Sequence, residues 1–204
     1  MGRLYLGLLH YPIRGRHGET IATAITGIDI HDIARSARTY GVHRFFVVTP
    51  LRSQQEIARR ILRYWLELKE DDPSRRAEAL QGVRIVDSLE ASIEEILAEE
   101  RGTKPRLIGT SARTFPKRPY VDYDELRERL ERDPDPVYLL LGTGWGLADA
   151  VIERVDAMLR PIYGVGEYNH LSVRAAAAII LDRLRGRREH GLQRESESAG
   201  TDER

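Results

Sequence analysis

The sequence has no cysteine, only two methionines, two tryptophans and three lysines, and no net charge. Without cysteine there is no disulfide, no thiolate nucleophile and no cysteine-ligated metal. Its six histidines, at positions 10, 17, 31, 43, 170 and 190, show no metal-ligand spacing, so no metal is expected. No run approaches the ~18 apolar residues of a membrane span. The N-terminus enters an apolar strand-like segment directly and does not read as a signal peptide, so a cytoplasmic protein is expected.

What is present is a 204-residue chain that is 41% hydrophobic and 31% charged, enough to bury a sizeable core. Cations are almost all arginine, 29 of 32, and their distribution is uneven. Residues 1–69 carry 11 Lys/Arg against 5 Asp/Glu, a net of +6; residues 70–136 carry a net of −5 and residues 137–204 a net of −1. Arginine's planar fork suits phosphate.

Short continuous apolar runs recur along the chain: Leu4–His10, Arg44–Thr49, Val83–Val86, Arg106–Gly109, Val137–Leu141 and a last one near Leu159–Tyr163. Helical periodicity fills the gaps. Ile30, Ile33, Ala34 and Ala37 lie at i, i+3, i+4, i+7, and Gly41 ends that helix. Ser53 with Glu56 reads as a capping box for a helix whose apolar face is Ile57, Ile61, Trp65 and Leu68, broken by Asp71–Arg76. Ser88 caps a helix to about Glu100, a short helix covers Asp124–Glu131, and another follows Gly146. A final helix spans about Leu171–Arg185, with Val173, Ala176, Ala177, Ile180, Leu181 and Leu184 as its buried stripe. Strands alternating with helices, and strands apolar on both faces, predict an α/β fold: a mostly parallel sheet with helices on both sides. One domain over residues 1–185 and a disordered polar tail over 186–204 are expected.

In open parallel sheets, ligands gather at the carboxyl ends of the strands. Three such ends are unusual here: Thr110-Ser111-Ala112-Arg113, Gly142-Thr143-Gly144-Trp145-Gly146-Leu147, and Tyr163 to His170, which holds Gly164 and Asn169. The glycine segment is not a dinucleotide fingerprint, because Leu147 stands where the third glycine belongs, and it has no Gly-Lys-Ser/Thr for a phosphate loop. Three glycines in five positions beside Trp145 exceed what a turn needs.

The stretches LLLGTGWGL and IYGVGEYNHLSVRAAAAIILDRL resemble the SPOUT class of RNA methyltransferases, which carries G-x-x-x-G-L after one strand and I-P-x-x-G…S-L-N-V-S-x-A-A-A-I at the start of the last helix. Gly146-Leu147, Ile162, Gly164 and Leu171-Ser172-Val173 fall in register. Asp29 to Arg35 (DIHDIAR) sits where the class often shows N-x-G-N-I-x-R. More narrowly, the chain resembles bacterial predicted RNA methyltransferases near the tRNA guanine-N1 methyltransferases. The resemblance implies a C-terminal trefoil knot and an S-adenosylmethionine site built from Thr110, Ser111, Gly142, Thr143, Gly144, Trp145, Gly146, Leu147, Ile162, Gly164, Asn169, His170, Leu171 and Ser172. It also implies tRNA or rRNA as substrate, and a homodimer in which Arg35 approaches the partner's cofactor. Arg35 would then contact the target nucleotide, and Asp29 would accept its proton. Arg14, Arg16, Arg38, Arg113, Lys117 and Arg118 are expected to form an RNA-binding rim. The chain departs from the class at Asp29 for Asn, Ser172 for Asn and Arg174 for Ser, and it lacks a glutamate in the glycine loop. These departures leave room for a second reading, a non-catalytic RNA- or ribosome-associated module that keeps the cofactor pocket. A third, a generic nucleotide-binding enzyme, would need phosphate-holding groups that the loops do not contain.

Overall fold

The computed structural model describes residues 2–67 and 75–187. The elements in chain order are β1 (Leu4–Leu9), β2 (Ile13–Arg14), β3 (Thr20–Ile21), α1 (Gly27–Thr39), β4 (Arg44–Val48), α2 (Arg52–Glu67), α3 (Arg76–Leu80) and β5 (Val83–Val86). They continue with α4 (Leu89–Glu99), β6 (Arg106–Gly109), β7 (Tyr120–Val121), α5 (Tyr123–Arg132), β8 (Val137–Gly142), α6 (Asp149–Ile152), β9 (Ala157–Leu159) and α7 (Val173–Arg185). Seven strands form one sheet in the order β5-β4-β1-β8-β6-β9-β7, and every pairing in it is parallel. No helix among the described residues is long and apolar enough to cross a membrane.

The α/β architecture read from the apolar runs is therefore observed. β1 and β8 lie at the centre with Leu4, Leu6, Leu8, Leu139 and Leu141 facing one layer and Tyr5, Leu9, Tyr138 and Leu140 the other. The first layer is completed by α1, α2, α3, α5 and α7; the second by α4, α6 and Ile13 of β2. Burial on both faces is why these strands read as unbroken apolar runs.

Four local expectations are corrected. The last strand ends at Leu159, two residues before Pro161, which has no N–H to give a ladder, so Arg160 to Tyr163 belongs to the following loop. Ser53 is not a cap: α2 begins at Arg52, Gln55 N–H donates to the Leu51 carbonyl, and the hydroxyl that serves this helix start is that of Thr49, accepting from Leu51 N–H. The apolar face of α2 is turned accordingly, with Ala58, Ile61, Leu62 and Trp65 inward and Ile57 exposed. The segment from Tyr11 to Gly27 is not plain loop, since β2 and β3 pair as an antiparallel ribbon, Ile13 with Ile21 and Arg14 with Thr20. Leu68, most of the expected break after α2, and all of the expected tail past Arg187 lie outside the described residues. Ser88 does cap α4 through Ala91 N–H, and Ser172 caps α7 through Ala175 N–H.

Gly7 lies mid-strand in β1, where a Cβ would meet the Tyr138 hydroxyl at 2.6 Å, the same hydroxyl that donates to Ser92 Oγ at 2.9 Å. Overpacking of this kind costs about 1–3 kcal/mol. Gly7→Ala is predicted to lower unfolding free energy by about that amount in urea denaturation.

Candidate cofactor and methyl-transfer site

The carboxyl ends of β6, β8 and β9 open into a cavity of about 880 Å³. Its walls come from the three loops after those strands, from the first turns of α7, and from Thr23, Ala24 and Asp29 at the entrance to α1. Parallel pairing makes this convergence unavoidable: the strands all end at the same edge, so the loops after them meet.

The glycine loop turns sharply. Gly144 and Gly146 adopt positive φ of 55° and 94°, and Gly146 N–H returns to the Thr143 carbonyl at 2.9 Å. A Cβ on Gly142 would lie 2.5 Å from Leu147 N, so backbone packs where a side chain would be. The backbone N–H groups of Trp145, Ile162 and Leu171, all in lining residues, find no partner among the described residues. Leu141, Ile162, Val173, Ala176 and Ile180 supply apolar surface between them.

Beneath the cavity floor runs a chain of hydroxyls. Thr143 Oγ1 donates to the Leu9 carbonyl at 3.2 Å and lies 2.5 Å from Thr23 Oγ1, which lies 3.1 Å from His10 Nδ1. With Thr143 donating to Leu9, Thr23 has its proton for Thr143 or for the His10 carbonyl at 3.4 Å, and in either case accepts from His10 Nδ1–H. Burial pushes the His10 pKa down to about 4, against the opposing pull of the Asp29 charge.

Asp29 is a buried carboxylate. Its Oδ2 accepts from the Thr26 hydroxyl at 2.6 Å, while Thr26 caps α1 by accepting from Asp29 N–H. Its Oδ1 accepts from Arg174 Nη1 at 3.2 Å, and Arg174 Nε lies 3.5 Å from Asp32 Oδ2. On the rim, Arg14 Nη1 is shared between the two carboxylate oxygens of Asp149 at 2.9 and 3.1 Å. Burial and the nearby Arg14 charge lower the Arg113 pKa, and Arg113 lies over the Phe115 ring.

Fourteen residues singled out from sequence line this cavity together. Thr110, Ser111 and Arg113 come from one loop, Gly142 to Gly146 from the second, and Ile162 with Asn169 to Ser172 from the third, with Asp29 opposite. Leu147 is buried behind the loop, bridged to Ile13. Gly164 lies outside, 3.7 Å from the Tyr168 carbonyl when given a Cβ. Arg35 and Arg16 are exposed and do not line the cavity; nor does the exposed Lys117. Arg38 is paired with Glu78 at 2.6 Å, and Arg118 donates to the Val155 carbonyl; neither lines the cavity. Sequence reasoning missed Thr23, Tyr123, Arg160 and Arg174 as lining residues. For Arg174 a signal existed, its departure from the class serine.

A family model described as SAM-dependent RNA methyltransferase matches residues 3–186. The chain belongs to that family. It is 42% identical over 183 residues to an uncharacterized protein of Aquifex aeolicus, covering 89% of this chain and 87% of that one. It is 45% identical over 185 residues to a tRNA (guanine-N(1)-)-methyltransferase of Nitratidesulfovibrio vulgaris, covering 90% of this chain but only 42% of the relative. Among solved structures, a probable methylase family protein from Haemophilus influenzae aligns with a TM-score of 0.61 at 15% identity, over 100% of this chain and 71% of that one. The SpoU methyltransferase AviRb from Streptomyces viridochromogenes, in complex with AdoMet, aligns with a TM-score of 0.56 at 18% identity, over 95% and 58%. At these identities the two likenesses show a shared fold.

The residues present fit S-adenosylmethionine. Unengaged backbone N–H groups and apolar walls suit adenine, the Gly142 turn admits close approach, and one carboxylate faces a ligand that carries positive charge. The loops present no phosphate cradle.

Two outcomes follow. Gly142→Ala forces the loop off its turn and is predicted to weaken S-adenosylhomocysteine binding by about tenfold or more in calorimetry. His10, neutral in the fold, takes up a proton on unfolding below its ordinary pKa of 6.5. Stability should therefore fall as pH drops from 6.5 towards 4 and level off below; urea denaturation across that window should show a shallower slope in His10→Gln.

Proposed function

We propose that this member of the SAM-dependent RNA methyltransferase family methylates a nucleotide of tRNA, working as a homodimer in the cytoplasm. The cavity formed by the glycine loop carries this reading, because its chemistry suits the methyl donor and it opens beside a cationic rim. The cofactor supplies an activated methyl group; the protein has to bind it, shut out water and bring one nucleotide into line.

The choice of tRNA rests on the named relatives from Nitratidesulfovibrio vulgaris and Oleidesulfovibrio alaskensis, both tRNA (guanine-N(1)-)-methyltransferases. This chain spans 42% of each, so the guanine-N1 activity in their names belongs to proteins more than twice its length. The class of RNA is carried over here, and the methylated atom is not. The non-catalytic reading is disfavoured by the family itself.

Arg16, Arg113 and Lys117 are the proposed phosphate contacts, together with Arg14, which would exchange its Asp149 partner for a phosphate. Trp145, Tyr163 and Tyr168, all more than half exposed, offer faces on which unstacked bases can rest. Arg35 is the proposed contact to the target nucleotide. Its place outside its own chain's cavity is what a trans arrangement requires, in which α1 of one protomer reaches its partner's site. The exposed apolar side chains Ile28, Val165 and Leu171 supply surface for that pairing. A trefoil threading of the last loops and a single domain to Arg185 belong to the same proposal.

Arg35→Ala is predicted to reduce transfer of labelled methyl groups into unmodified tRNA by at least about a hundredfold, with S-adenosylhomocysteine affinity nearly unchanged. Transfer should also fall steeply with added salt. Retained activity in Arg35→Ala would remove the residue from the reaction, and a protein that labels no RNA at all would overturn the proposed function.

A further inference from the structure

Two of the departures from the class pattern turn out to be one feature. Asp29 stands where the class often has asparagine and Arg174 where it has serine. The two residues, 145 apart in sequence, form an ion pair at 3.2 Å inside the cavity wall. A neutral amide and hydroxyl would satisfy the same positions without the desolvation that the buried Asp29 carboxylate incurs beside a partly exposed Arg174. The pair therefore calls for a compensating use.

The charges around it indicate which use. Asp29 is the sole carboxylate among the described residues that line the cavity. The other charged liners, Arg113 and Arg160, are cations, and Arg160 is already paired with Asp122 at 3.0 Å. An RNA phosphate brought to Asp29 would meet like charge, and adenine has no charge to offer it. A ligand group bearing both signs on neighbouring atoms fits. Asp29 has accepted from Thr26 and Arg174, one bond on each oxygen, and a carboxylate has further lone pairs. Arg174 uses Nη1 and Nε, leaving donors on a side chain that is 38% exposed.

We propose that Asp29 and Arg174 form the subsite for the α-amino-acid end of the cofactor, Asp29 receiving the ammonium and Arg174 the carboxylate. This rests on the cavity being the S-adenosylmethionine site. Asp29 is then a binding residue rather than the proton acceptor suggested by its position in the first helix. The same pair ties the start of α1 to the start of α7, so filling the subsite fastens the N-terminal wall of the cavity to its C-terminal loops.

The test compares two ligands that share the adenosine thioether and differ in the amino-acid end, S-adenosylhomocysteine and 5′-methylthioadenosine. Calorimetry is run on the wild type, on Arg174→Gln, and on the class-like double variant Asp29→Asn with Arg174→Ser. The expected result is a loss of about tenfold or more in S-adenosylhomocysteine affinity, as charge-assisted hydrogen bonds of this kind confer. Affinity for 5′-methylthioadenosine should stay within about twofold, which also reports that the cavity is intact. Equal losses for both ligands would overturn the proposal and make the pair purely structural, and so would undiminished binding of S-adenosylhomocysteine. A wild type that binds neither ligand would instead overturn the cofactor reading beneath it.

Discussion

The pairing of β1 with β8 is the constraint on which the rest of the molecule depends. It runs through six consecutive residue pairs, from Leu4 with Val137 to Leu9 with Gly142. Joining the first strand to the eighth in parallel sets the exit of each beside the exit of the other. The segment after β1 holds Thr23 and Asp29, and the segment after β8 is the glycine loop. Their meeting is visible at single bonds: Thr143 N–H donates to the Leu9 carbonyl, Thr23 Oγ1 meets Thr143 Oγ1, and Arg14 N–H donates to the Gly146 carbonyl. A one-residue slip would turn the leucines of β8 toward the opposite layer and take this meeting apart.

Charge is distributed around the cavity according to what each part has to hold. The floor is apolar or hydroxylic, with His10 kept neutral by burial. Among the described residues one carboxylate, Asp29, is set in the wall, held by Thr26 and Arg174. Arginines stand on the rim, some free to meet a polyanion and others committed to carboxylates. This arrangement separates a small ligand with positive charge from a large one with negative charge, as methyl transfer to RNA demands. Several arginines that look alike in sequence differ here: Arg38 is taken up by Glu78 and Arg118 by Val155, while Arg35 is exposed on α1.

The parts of the fold that could be read in advance are those where burial leaves a one-dimensional trace. β1, β4 and β8 are apolar on both faces and stand out as runs, and the glycine clusters marked two of the three cavity loops. What escaped has physical reasons. β2 and β3 are two residues each, too short for a period to register. The end of β9 was set by one proline rather than by hydropathy. Leu147 matched a motif, and its side chain turns away from the cavity to lie buried against the ribbon. Thr23 carries no pattern and reaches the cavity through long-range pairing. Arg174 looked like a defect in the motif until its partner, Asp29, was seen across the cavity wall.

The central claim is that the three loops after β6, β8 and β9 together bind the methyl donor. Amide hydrogen exchange with and without S-adenosylhomocysteine measures this directly, without any substitution. The account predicts slowed exchange at Trp145, Ile162 and Leu171, whose N–H groups find no partner within the described chain, and in the first turn of α7. Protection confined to α2 or α4, or no change anywhere, would contradict it.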